Sequence, residues 1–133
     1  MTTEQNDKLD AIYNKIITDN KLKIIWENPK PNSMLTTTVT VNHDFSQYNC
    51  IIVTTLGHYQ LNNLYVHMFR CPTNNSGVGI AATNAGIGYQ RILKITSSKL
   101  TITPNTSNGN YESYTVPVKI YGLTLDDTSI FNF

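Results

Sequence analysis

Charge is scarce in this chain and almost balanced. Ten Lys and Arg face nine Asp and Glu in 133 residues, a net charge of +1, and they are spread along the sequence. That leaves no basic stripe for nucleic acid or for an anionic membrane. No run approaches the roughly 20 apolar residues of a membrane span, and the N-terminal stretch is too polar for a secretory leader. A soluble, unprocessed chain without membrane insertion is expected. Cysteine is limited to Cys50 and Cys71, in or beside apolar runs and without Cys-x-x-Cys or Cys/His spacing. Buried free thiols are expected over a disulfide.

Catalytic and cofactor signatures are equally thin. Most of the acids lie in the first 19 residues (Glu4, Asp7, Asp10, Asp19) or near loops (Asp44, Glu112, Asp126, Asp127). Glu27 alone lies beside an apolar strand, and one carboxylate cannot serve as both acid and base of a glycosidase. His43, His58 and His67 never fall at the i, i+2 or i, i+4 spacing of a local metal site. The stretch GVGIAATNAGIG (77–88) is rich in glycine but has neither a GxGxxG fingerprint nor a following helix, so it reads as a tight strand pair or a loop and not a phosphate cradle. No catalytic residue, metal or cofactor is expected.

What the chain does contain changes character at about residue 20. Over residues 2–19, Leu9, Ile12 and Ile16 recur at heptad spacing behind a Thr2/Gln5 capping box, the pattern of one short amphipathic helix. Such a helix is marginal alone, so the Leu9, Ile12, Ile16 stripe is read as an oligomerisation or attachment seam, its residue choice leaning toward three or four helices over two. A helix folded back on its own domain, with Tyr13 and Ile17 widening the stripe, is the other reading.

From residue 21 on, Thr-, Asn- and Tyr-rich runs broken by Pro, Gly and Asn predict an all-β domain. Strands are expected over 22–27, 34–41, 50–56, 64–71, 89–95, 99–104 and 114–123. The run 50–56 reads as central, 89–104 as a hairpin about Thr96, Ser97 and Ser98, and Pro117 as an edge or a bulge. The expected architecture is a helix over 1–20 and one β-sandwich or jelly roll over 21–133. Trp26, Phe69 and Tyr121 are expected in its core.

Two segments carry a resemblance. Leu22 to Ser33, around Trp26-Glu27-Asn28-Pro29, resembles the LWENPNPTS opening of small structural modules of tailed bacteriophages. Tyr114 to Gly122, YTVPVKIYG, resembles the VPVEIYGI strand that closes them, and Arg91 ahead of the hairpin fits between. The resemblance implies a virion protein of tail, baseplate or head-fibre type, a β-sandwich assembled as a homotrimer, held to another virion protein by its helix. It also implies a distal module for host-surface carbohydrate or, alternatively, a capsid, neck or tail decoration or connector protein that does not adsorb.

Saccharide recognition uses an aromatic face beside amide, carboxylate or guanidinium groups. His58, Tyr59 and Gln60 in one loop, and Asn110, Tyr111 and Glu112 in another, supply that chemistry. His58, Tyr59, Asn110, Tyr111 and Glu112 are therefore the candidate ligand contacts, although solvated loops use the same residues.

Overall fold

A computed structural model of the chain describes residues 2–19, 22–71, 76–84, 87–104 and 112–125. A helix, α1 (Thr3–Asp19), precedes eight strands: β1 (Lys23–Glu27), β2 (Val39–Asn42), β3 (Cys50–His58), β4 (Leu64–Arg70), β5 (Ser76–Asn84), β6 (Ile87–Ile95), β7 (Lys99–Ile102) and β8 (Tyr114–Leu123). They form two four-stranded antiparallel sheets, ordered β1-β8-β3-β4 and β2-β7-β6-β5. The all-β sandwich with a leading helix is thus the architecture observed. The capping box forms: Thr2 N–H donates to Gln5 Oε1 at 2.9 Å and Gln5 N–H to Thr2 Oγ1 at 3.2 Å, which satisfies two otherwise orphaned donors of the first turn.

Alternation on the strands builds the core. Val39 and Val41 of β2, Leu100 and Ile102 of β7, Leu93 and Ile95 of β6 and Ile80 of β5 point inward from one sheet. Ile51 and Val53 of β3 and Ile120 of β8 meet them from the other. The expected hairpin at 96–98 is present, with Thr96 N–H donating to the Lys99 carbonyl at 2.8 Å. Cys50 is buried and Cys71 half-buried, both free, and burial pushes both thiols up in pKa. Of the two readings of the glycine-rich stretch, the tight strand pair is the one formed: it supplies a nine-residue strand, β5, paired with β6 throughout its length. Two expectations change. Residues 34–38 are irregular and the strand begins at Val39. Trp26 and Phe69 are only half-buried against the core, while Tyr121 lies half-buried in the outer row, paired with Ile52 and Ile24.

The two segments that carry the resemblance meet. Pro117 has no amide hydrogen to give to a ladder, and β8 bulges there: Thr54 pairs with Lys119 but Thr55 with Pro117, leaving Val118 as the extra residue. Asn28 closes the gap. Its side-chain amide donates to the Pro117 carbonyl and its backbone N–H to the Val118 carbonyl, each at 2.8 Å, while its Oδ1 accepts from Lys30 N–H at 2.9 Å. Gly122 has its own reason to be glycine: a Cβ there would stand 2.5 Å from Cε1 of Tyr48, whose ring lies on the β8 backbone.

One inward position of β6 is not apolar. Arg91, between Tyr89 and Leu93 in the inward row, is fully buried. Its Nε donates to the Thr115 carbonyl at 2.7 Å and, more weakly, to that of Tyr114 at 3.4 Å. Nη1 donates to the Leu35 and Thr103 carbonyls at 3.2 and 3.4 Å, and Nη2 to the Glu112 and Tyr114 carbonyls at 3.0 and 3.1 Å. One guanidinium thereby joins β6 to the start of β8 and to the segment before β2. Burial lowers its pKa to about 10, partly offset by the Glu112 carboxylate, so it stays charged at neutral pH.

Arg91→Lys tests this clasp. An ammonium has three donors where the guanidinium has five in a planar fork, and stranded buried carbonyls cost ~1–3 kcal/mol each. The variant is expected to lose about 2–4 kcal/mol in urea unfolding; a loss under about 0.5 kcal/mol would show the carbonyls satisfied without it.

His67 gives a pH test. Its Nε2 and Thr55 Oγ1 are 2.9 Å apart, and burial pushes its pKa down. The unfolded imidazole therefore takes up its proton first, at about 6.5, and stability falls as pH drops through that value until the lowered folded value is passed. Thermal unfolding midpoints are expected to decline from pH 7 to pH 5, and to decline less in His67→Gln.

Candidate functional site

One end of the sandwich gathers aromatic rings. Strand β3 runs out at His58, which pairs with Tyr114 at the start of β8, and the chain then turns. Gly57 N–H donates to the Asn63 carbonyl at 3.0 Å, Leu61 N–H to the His58 carbonyl at 3.0 Å and Tyr59 N–H to the Ser113 carbonyl at 2.9 Å. The last bond brings together the two loops singled out from sequence. His58 stacks on Tyr59 with centroids 4.7 Å apart and meets Tyr114 edge-on at 4.8 Å; Tyr114 stacks flat on the buried Tyr89 at 3.8 Å. Gln60 N–H donates to His58 Nδ1 at 3.1 Å, so a neutral His58 carries its proton on Nε2.

The backbone behind the rings is strained and held. Thr115 has φ of 50°, a left-handed conformation unfavourable for a β-branched residue. It is fully buried, its hydroxyl donates to the Tyr89 carbonyl and accepts from Ala82 N–H at 3.1 Å, and its carbonyl takes the shortest Arg91 bond. Arg91 also grips the carbonyls of Tyr114 and Glu112, and Leu35 N–H donates to the latter at 3.2 Å. Strain of this kind persists only where the surroundings over-determine it.

Of the residues expected to touch ligand, His58, Tyr59 and Glu112 are brought to this end, their loops joined by the Tyr59–Ser113 bond. Asn110 and Tyr111 lie outside the described residues. Leu9 of the helical seam is 53% exposed; Ile12 and Ile16 lie in α1, with side chains outside the described set. Among the described residues no group of three or more His, Cys, Asp or Glu could hold a metal ion, and no helix is long and apolar enough to cross a membrane.

Sequence reasoning missed two features. Arg91 was visible only as a charge in phase with Tyr89, Leu93 and Ile95 on an otherwise apolar inward row, the pattern of a buried, multiply bonded arginine. The second is an open groove of about 410 Å³ lined by Trp26, Asn28, Pro29, Lys30, Ser33, Met34, Leu35, Thr37, Thr38, Val39 and Thr40. Half-exposure of Trp26 places a residue expected in the core on the groove's wall. No protein-family model, curated protein sequence or solved structure matches the chain.

Proposed function

We propose that this chain is a bacteriophage virion protein, a homotrimeric tail- or fibre-type module that displays a saccharide-binding end. On this reading α1 attaches it to another virion protein, the sandwich is the rigid scaffold, and host-surface carbohydrate stacks on the ring of Tyr59 beside the Glu112 segment. The observation that carries the saccharide reading is the half-exposed His58–Tyr59 pair, oriented by backbone bonds to Gln60 and Ser113 and adjoining a strained, clamped loop. Virion origin rests on the resemblance, supported by the bonds of Asn28 to Pro117 and Val118, which make its two separated segments one structural unit. The chemistry proposed is binding, without a catalytic step.

A second reading, a capsid, neck or tail decoration protein that does not adsorb, is favoured by a different fact. The rings of His58, Tyr114 and Tyr89 spend their faces and edges on one another, as packing residues do.

Two measurements separate these roles. A single site of this kind is expected to bind saccharide at about millimolar Kd, some 4 kcal/mol, with useful attachment coming from multivalency. Tyr59→Ala should lower glycan-array binding and particle adsorption several-fold at unchanged thermal stability; unchanged adsorption favours decoration. Ile12→Asp, which places a charge in the apolar seam at a cost of several kcal/mol, should abolish incorporation into particles while leaving the sandwich folded. Normal incorporation would remove α1 from the attachment role.

A further inference from the structure

The two sides of the sandwich are protected very differently. On one side the edge strands are short, β1 with five residues and β2 with four. β1 carries Lys23 and Glu27 and is followed by Pro29 and Pro31, the charges and prolines with which proteins blunt a sheet edge. On the other side β4 has seven residues and β5 nine. Among the described residues β4 pairs only with β3 and β5 only with β6. The sole charge on β4 is Arg70 at its end, and β5 carries none.

β4 also shows an unusual outer row. Leu64, Val66 and Met68 are 56%, 61% and 54% exposed, and they continue across the sheet into Leu56 and Ile52 of β3. Isolated exposed apolar residues need no explanation, but three in strict alternation on an open edge strand make a ready template for another strand. His67, Tyr65 and Phe69 occupy the inward row, so the strand is anchored beneath.

We infer that β4 pairs antiparallel with β4 of a second copy of this chain, joining the two sheets across a dyad at His67. In that register Tyr65 of one copy lies opposite Phe69 of the other, and Leu64 opposite Arg70, whose aliphatic stem lies along apolar surface while its head stays in water. Val66 of one copy lies opposite Met68 of the other, a favourable apolar cross-strand pair, and the two outer rows merge into one stripe. The two Arg70 residues fall at opposite ends, roughly 20 Å apart at ~3.3 Å per residue, beyond the Debye length of ~8 Å at physiological salt. Parallel pairing would set them side by side. Tyr65 Oη reaches the Thr83 carbonyl of β5 in the facing sheet at 3.5 Å, so β5 lies beside β4 and the same dyad brings the two β5 edges toward each other. There Gly77 and Gly79 present no side chain.

This contact is separate from the helical seam of the proposed trimer, so with both formed it joins one trimer to another and wild type exceeds the trimer mass; light scattering on full-length protein over a concentration series separates them. Ile12→Asp removes the seam and leaves the β4 contact, so that variant is expected at twice the monomer mass; the double variant Ile12→Asp/Val66→Lys is expected at the monomer mass. Met68→Lys in place of Val66→Lys should act alike. Both positions are more than half exposed, so lysine should leave the thermal midpoint within a few degrees, and whichever variant folds decides the outcome. A monomeric Ile12→Asp protein, or a mass unmoved by lysine at either position, overturns the inference. A seam that never forms gives wild type and Ile12→Asp the same dimer mass, which refutes the trimer and leaves the β4 contact standing.

Discussion

The arrangement of this sandwich depends on one buried guanidinium. Arg91 stands where β6 would otherwise offer another aliphatic side chain, and it reaches the carbonyls of Leu35, Thr103, Glu112, Tyr114 and Thr115. Those carbonyls belong to stretches where the ladder is broken: the irregular lead into β2, the exit of β7, and the turn into β8. Backbone acceptors in such places must be satisfied when water is excluded. A single planar group with five donors does so, and desolvation is the cost, seen in the lowered pKa. Because two of the five carbonyls flank the strained Thr115, the same group sets the path by which Tyr114 and Glu112 arrive beside His58 and Tyr59.

A second constraint is the proline in an interior strand. β8 lies between β1 and β3, and where Pro117 interrupts its ladder the strand bulges at Val118 and the Pro117 and Val118 carbonyls are taken up by the side-chain amide and backbone N–H of Asn28. Residues 89 positions apart in sequence are thus parts of one hydrogen-bonded repair. The Asn-Pro turn after β1 and the Val-Pro-Val of β8 are parts of one structural unit.

Much of the fold was legible because alternation and turn chemistry are local. The helix cap at Thr2 and Gln5, the 96–98 hairpin, the interior run at 50–56 and the full extent of 114–123 follow from nearest neighbours. Residues 34–38 misled because threonines fit a strand as readily as an extended segment, and only the partner strand β7, with four residues, decides where pairing begins. Tyr121 and Trp26 misled because apolar content does not say which face of a sheet is covered. At the candidate site, the residue types of the loops carrying His58 and Glu112 were legible, but the bond that joins those loops, the ring stacking, the φ of Thr115 and the Arg91 bonds are tertiary facts with no local signature.

The placement of β1 also has a mechanical meaning. α1 leads into β1 at Lys23, which pairs with Gly122 at one end of β8, whereas the aromatic rings lie at Tyr114, the other end. A pull exerted between the helix and those rings therefore draws β1 and β8 along each other in opposite directions. The rungs from Lys23 to Glu27, and the Asn28 bonds beyond them, are strained together and not peeled one by one. Antiparallel strands resist sliding far better than unzipping, so the short edge strand that looks weakest in the sheet offers its greatest resistance to a pull along that line.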